Sequence, residues 1–267
     1  MESQFYVVTW WDVLVALVFI ALTYGIMRYW KIGLEKTLLV GTVRTFLQLT
    51  LMGYLLSYIF NQESWYFMVG LLTLMILVAS FEGYRRQKLP IPHYFLILVG
   101  SLGITVLIVL GTILKFILAV EPWYYPFVMI PIAGMIIGNG LNSMTLTANR
   151  FIGELKHREG EVETLLSLGA PVRAAVHGSL VSAIRAALIP NINNLMTVGL
   201  VQLPGMMSGQ ILAGIDPLIA VRYQIIIMYM WITTAVLTDV ISLTFIYRQF
   251  FTSRDQLRLK ILRQAEG

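Results

Sequence analysis

Apolar stretches of about 20 residues recur along the chain, separated by short clusters of charge, proline and aromatic residues. A helix rises about 1.5 Å per residue, so each stretch is long enough to cross a bilayer core of about 30 Å. Seven spans are predicted. The first runs from Trp11 to Tyr29, with Trp10, Trp11, Tyr29 and Trp30 placed as interfacial anchors. A polar connection through Lys31, Glu35 and Lys36 leads to the second, about Leu38 to Phe60. Asn61-Gln62-Glu63 reads as a tight turn before the third, Trp65 to about Phe81. The basic loop Arg85, Arg86, Lys88, closed by Pro90 and Pro92, precedes the fourth, about Tyr94 to Leu118. Glu121-Pro122-Trp123 and Pro126 mark an interface, and the fifth span follows from about Phe127 to Ala148. A polar, amphipathic segment at about 150–192 reads as cytoplasmic helices. The sixth span is expected from about Leu195 to Gly214, then the turn Asp216-Pro217, and the seventh from about Gln224 to Tyr247, with a basic tail at 248–267.

Composition agrees with an integral membrane protein forming one all-α polytopic domain over 1–267. Of 267 residues 58% are hydrophobic and 12% charged, against about a quarter charged in soluble domains. The mean hydropathy is +0.77. There is no cysteine, which removes disulfides, thiolate catalysis and cysteine metal sites. His93, His157 and His177 lie far apart and build no histidine cluster. Met1 to Trp10 contains no Lys or Arg, so the first apolar run lacks the basic region of a cleaved signal and is expected to stay in the membrane.

Net charge changes the picture through its distribution. The excess of five positive charges does not point to nucleic acid, because the basic residues are spread over loops. With the N-terminus outside, 17 of the 19 basic residues fall on the inner side, leaving only Lys115 and Arg222 outside. That asymmetry predicts an N-outside, C-inside protein of the cytoplasmic membrane.

Two spans carry the same irregularity. Pro131 is followed by Gly134 and Gly138, and Pro204 by Gly205 and Gly209. Each proline removes an amide hydrogen bond and crowds the carbonyl four residues back, so the helix bends or opens there. Freed carbonyls at membrane depth must face protein or water, so the pair, with Asn139, Asn142, Gln202, Ser208 and Gln210 alongside, predicts a translocation route. The alternative is a pair of packing kinks with helix-contact grooves. Met206 and Met207, with Met135 and Met196 nearby, offer soft thioether ligands to a transition metal, or simply apolar filler among 13 methionines. Asp239 lies about 13 Å inside Arg248 on a regular helix. It is expected either to face a cavity or partner, or to hydrogen-bond Thr234, Thr238 or Ser242 on its own helix.

Between the fifth and sixth spans, Glu163-Thr-Leu-Leu-Ser-Leu-Gly-Ala170 followed by Pro171 predicts a short helix ended at Gly169 by a left-handed cap, then a second helix. Such a corner would present Glu163, Leu168, Gly169 and Ala170 to a partner, or merely connect two spans through solvent. The sequence has no Gly-x-x-x-x-Gly-Lys-Ser/Thr, no Ser/His/Asp set and no convincing acid pair, so neither an enzyme nor a chain with its own nucleotide site is expected.

The run Glu163 to Ala170 resembles the motif by which ABC permeases contact their ATPase. Ile130-Pro-Ile-Ala-Gly-Met-Ile-Ile-Gly-Asn139, Ser182-Ala-Ile-Arg-Ala-Ala-Leu-Ile-Pro190 and Thr197-Val-Gly-Leu-Val-Gln-Leu-Pro-Gly-Met-Met-Ser-Gly209 resemble signatures of the FetB family. Ala213-Gly-Ile-Asp-Pro217 and Tyr223-Gln-Ile225 extend the likeness. That family comprises membrane subunits of a bacterial ABC exporter linked to iron, and plant aluminium-tolerance half-transporters are similar. The resemblance implies two permease copies joined to two ATP-binding subunits that hold ATP and Mg, with none bound by this chain. It further implies that Glu163, Leu168, Gly169 and Ala170 transmit ATPase movement. Pro131, Asn139, Pro204, Met206 and Met207 would then bend or line the path, Gly134, Gly205 and Ser208 beside them. An ion-coupled carrier working without an ATPase is the competing expectation, carried by the paired broken helices and Asp239.

Overall fold

The computed structural model describes residues 8–62, 64–87, 91–258 and 261–262. Expectations for Glu63, Lys88, Pro90, Lys260 and Arg263 lie outside the described residues. Among the described residues, six helices are long and apolar enough to cross a membrane, and no strand forms beyond isolated bridges. The protein is an all-α polytopic membrane protein. Internal contacts divide it into two units, 1–63 with 212–214, and 64–211 with 215–267.

The first unit is built on α1 (Trp10–Tyr29) and α2 (Glu35–Ile59). The backbone N–H and the hydroxyl of Thr9 both donate to the Asp12 carboxylate, at 2.7 and 2.8 Å, which fixes the start of α1. Trp10 meets Phe46 edge to face at 6.0 Å. Neither helix buries a residue within its central span, as expected of surfaces solvated by acyl chains.

The second unit holds α3 (Trp65–Gln87), α4 (Tyr94–Thr112), α5 (Pro126–His157), α6 (Glu159–Ser167), α7 (Val172–Ala175), α8 (His177–Thr197), α9 (Gly205–Leu212) up to Ile211, and α10 (Pro217–Gln249). α5 is its axis, packed by α3, α4, α8 and α10. Pro126 occupies the first turn of α5, where its missing N–H costs nothing. Asp216 caps α10 by accepting from Leu218 N and Ile219 N at 2.8 and 3.3 Å, with Pro217 next in line. α4 and α10 both approach α5 closely at Gly140. A Cβ there would stand 2.8 Å from Thr238 Cγ2, 3.1 Å from Leu102 Cδ2 and 3.4 Å from Thr234 Cγ2. The tail returns to this core, with Phe250 buried and its ring edge-on to Phe151 at 6.0 Å.

Two expectations need correction. The sixth span is not a single helix over 195–214. The chain there is the end of α8, a non-helical turn with Gly199 at φ +90° and a bridge between Val198 and Gln202, and then α9. The helix that runs beside α5 is α8, which begins at His177, inside the stretch expected to be cytoplasmic. Gly178 packs under the guanidinium of Arg158 at one end, and Asn194 meets Met135 across a shared cavity at the other. α8 therefore follows α5 from its C-terminal end to the level of Met135. Its polar content (His177, Arg185, Asn191, Asn193, Asn194) conceals it from a hydropathy reading. Second, the two prolines do not act alike. α5 stays helical through Pro131, whereas the chain opens at Pro204. At Gly138, Gly205 and Gly209 a Cβ would meet nothing within 4 Å, so these glycines make no close contact inside the chain.

Candidate functional site

Two places concentrate chemistry, and they sit at opposite ends of α8. The first is the corner between α5 and α8. α6 ends in a Schellman motif: Ala170 N donates to Leu165 O and Gly169 N to Leu166 O, both at 3.0 Å, with Gly169 at φ +84°. Only glycine, or less readily asparagine, holds that conformation without strain. Pro171 then starts α7. Val162 on α6 and Ala175 and Val176 beyond the turn are buried, so the corner is seated on the helices below. Arg158 reaches Glu154 at 3.5 Å and Glu161 at 3.8 Å, tying α5 to α6. What the corner presents outward is Glu163, Leu168 at 80% exposure, and Gly169. Leu168 therefore takes no part in the core. Ala170 is half-buried beneath them.

The second place is the break between α8 and α9. A cavity of about 240 Å³ opens there, bordered by Met135 of α5, Met206 of α9 and Met228 of α10, with Gln202 and Pro204 of the turn and Gln224 of α10. A neighbouring cavity of about 220 Å³ includes Pro131, Gln210, Tyr223 and Met230 and shares Met206. Gln224 is only 7% exposed, and its Oε1 has no hydrogen-bond partner; nor has Oε1 of Gln210. A buried polar atom left unpaired costs about 1–3 kcal/mol, and both lie at cavity walls. Below them, three elements are pinned together. Asn139 Nδ2 donates to the Trp231 carbonyl at 2.7 Å, and Trp231 Nε1 donates to Asn191 Oδ1 at 2.9 Å.

Of the predicted path residues, the structure brings Pro204, Gly205 and Met206 to the first cavity and Pro131 and Met206 to the second. Asn139 is buried one layer below. A Cβ on Gly134 would lie 3.8 Å from Met75 Cε, facing α3 instead of the cavities. Met207 and Ser208 are half-buried on α9 and border neither cavity, and Met196 is 75% exposed. The thioether group is thus Met135, Met206 and Met228, not the Met206-Met207 pair. Met228, Gln224, Asn191 and Trp231 escaped the sequence reading. Their signal is a face of α10: Gln224, Met228 and Trp231 recur at helical spacing in an otherwise lipid-compatible span.

Asp239 belongs to neither place. It is fully buried, and its Oδ2 accepts from Ser143 Oγ of α5 at 2.9 Å. Of the two expectations for it, the side-chain pairing with Thr234, Thr238 or Ser242 of its own helix is not the one its carboxylate makes. The hydroxyl of Thr238 goes to the carbonyls of Thr234 and Ala235, and that of Ser242 to the carbonyl of Asp239. A cavity of about 920 Å³ beside α3 and α4 is walled mainly by Leu, Val and Ile, with Thr73, Lys115, Glu121 and Trp123 as its polar members. No group of three or more His, Cys, Asp or Glu able to hold a metal occurs among the described residues.

A family model described as Uncharacterised protein family (UPF0014) matches residues 10–251. The Bacillus subtilis UPF0014 membrane protein YjkA is 36% identical over 242 residues, 91% of this chain and 95% of its own. The Escherichia coli protein named "Probable iron export permease protein FetB" is 40% identical over 237 residues, 85% of this chain and 86% of its own. The Arabidopsis thaliana protein ALUMINUM SENSITIVE 3 is 33% identical over 250 residues, covering 92% and 89%. No solved structure matches the chain.

Proposed function

Because the chain belongs to the UPF0014 family of membrane proteins, we propose that it is the permease subunit of an ABC exporter that moves iron or another metal ion outward. A separate subunit would bind Mg and ATP, and two copies of this chain would form the route. The observation that carries the reading is the corner at Gly169: a rigid, glycine-capped turn with an exposed leucine and carboxylate, mounted directly on α5 and α8. Those helices lead to the α8–α9 break and its cavities. A displacement at the corner reaches the break without crossing a flexible linker, because α8 is continuous from His177 to Thr197.

The metal cargo is supported by the name of the Escherichia coli relative and by the methionines at the break. A second copy is supported by the turn itself. Leu200 is 95% and Val201 82% exposed on non-helical backbone, and such backbone is excluded from lipid, so it has to line a water-filled route or meet protein, which a second copy would supply. The corner faces the cytoplasm in this reading and the N-terminus the outside, which the charge asymmetry supports.

The test is reconstitution of the chain with its ATPase in vesicles, followed by metal flux. ATP-dependent flux that disappears in an ATPase-dead partner is expected. Flux by this chain alone, driven by an ion gradient, would identify an ion-coupled carrier and overturn the proposal. An assembled complex that hydrolyses ATP without moving any metal would refute the cargo class.

A further inference from the structure

The cavity at the α8–α9 break has an unusual wall for a cation site. Three thioethers, Met135, Met206 and Met228, come from three different helices, and the amides Gln224 and Gln202 stand beside them. Among the described residues no carboxylate, imidazole or other charged group borders this cavity or its neighbour, and the chain has no cysteine. We propose that this cavity binds a soft monovalent cation of the Cu(I) and Ag(I) class, through the sulfurs of Met135, Met206 and Met228 and the amide oxygen of Gln224. The inference rests on the transport reading of the same site and narrows its cargo.

Two physical arguments select this class. Thioether sulfur is a soft, neutral donor that prefers Cu(I)-like ions, whereas hard ions prefer carboxylate, carbonyl and water oxygen. The cost of stripping water from an ion grows with the square of its charge, so a divalent ion costs about four times as much to place in a neutral cavity as a monovalent one. With no anionic ligand to offset that cost, divalent and trivalent ions are disfavoured here. Apolar filling by methionine explains the sulfurs taken alone. It does not explain why Gln224, nine-tenths buried in the same wall, keeps an amide oxygen with no hydrogen-bond partner. A soft cation satisfies that oxygen and gives the three sulfurs a common partner.

The experiment uses the purified full chain in detergent, without ATPase or ATP. Silver nitrate in chloride-free, thiol-free buffer is titrated by calorimetry, and the bound ion is examined by silver-edge X-ray absorption. One tight Ag(I) per chain with sulfur neighbours is expected. Met206→Leu and Met228→Leu, which conserve volume, are expected to weaken binding at least tenfold each, while Met207→Leu leaves it unchanged. Excess Fe(II) or Zn(II) is expected not to displace the silver. Binding that survives the Met206→Leu/Met228→Leu double variant, displacement by Fe(II), or an absorption spectrum without sulfur neighbours would each overturn the proposal. The spectrum on the unmodified chain decides the matter even if a variant fails to fold. Silver binding with no ATP-driven flux counts against the transport reading alone; ATP-driven flux of another ion with no silver binding counts against this site alone.

Discussion

Adding one methyl group at Gly140 tests how closely α4, α5 and α10 are packed. The new Cβ would stand 2.8 Å from Thr238 Cγ2, 3.1 Å from Leu102 Cδ2 and 3.4 Å from Thr234 Cγ2, where carbon atoms prefer about 3.5–4.0 Å. Thr238 cannot turn away cheaply. It is β-branched and stiff on a helix, and its hydroxyl donates to the Thr234 and Ala235 carbonyls at 2.8 and 3.1 Å. The helices must therefore separate by several tenths of an ångström, and overpacking of this kind costs about 1–3 kcal/mol. Replacing glycine by alanine inside a helix also gains about 1 kcal/mol in propensity. Gly138, two residues away on α5, isolates that gain, because a Cβ there meets nothing within 4 Å. The gain is common to both variants and cancels in their difference. Gly140→Ala should thus be less stable than Gly138→Ala by about 1–3 kcal/mol, with Gly138→Ala at or slightly above the unmodified protein. Apparent unfolding midpoints in one detergent, followed by intrinsic fluorescence, provide the comparison. Equal midpoints, or a more stable Gly140→Ala, would refute the packing argument. A strongly destabilised Gly138→Ala would show that another surface approaches that face of α5.

The corner at Gly169 should tolerate asparagine better than alanine. A Cβ there meets no atom within 4 Å and φ is +84°, so the cost for alanine is conformational only, about 1–2 kcal/mol. Both variants should fold, and stimulation of the partner ATPase should fall more in Gly169→Ala than in Gly169→Asn; equal activity in both would sink the claim. Leu168→Asp, at a position 80% exposed, should leave the unfolding midpoint unchanged while abolishing co-purification with the ATPase, and retained co-purification would remove the corner from the interface. Asp239→Asn keeps the shape and the hydrogen bond from Ser143, so its midpoint should stay close to that of the unmodified chain. Asp239→Leu leaves the buried Ser143 hydroxyl unpaired at a cost of about 1–3 kcal/mol, and a neutral Asp239→Leu would contradict the buried link. Trp231→Phe removes the donor to Asn191 Oδ1 and should lower stability by about 0.5–1.5 kcal/mol, which the same melts would detect.

What could be read along the chain was whatever depends on short separations. Hydrophobic runs of bilayer length located α1 to α5 and α10, because a membrane helix satisfies its backbone internally and needs nothing from its neighbours. The glycine cap at Gly169 and the Asp216-Pro217 start of α10 were legible for the same reason, being local backbone chemistry. α8 was not, since its place is held by contacts with α5 and α10 and its own sequence carries Arg185 and three asparagines. The prolines illustrate the limit. Pro131 and Pro204 look alike in sequence, yet α5 is surrounded by helices that hold it straight enough to remain continuous, while the α8–α9 turn is exposed and opens.

The sequence by itself determined that this is a helical membrane protein with a capped corner between two spans, because length, hydropathy and turn chemistry act over a few residues. Only the tertiary structure decided which methionines share a cavity, that Gln224 faces it, and that Asp239 reaches across to Ser143. Those pairings join residues on separate helices, and the register between helices is set by how their surfaces interlock, a property that no single segment carries.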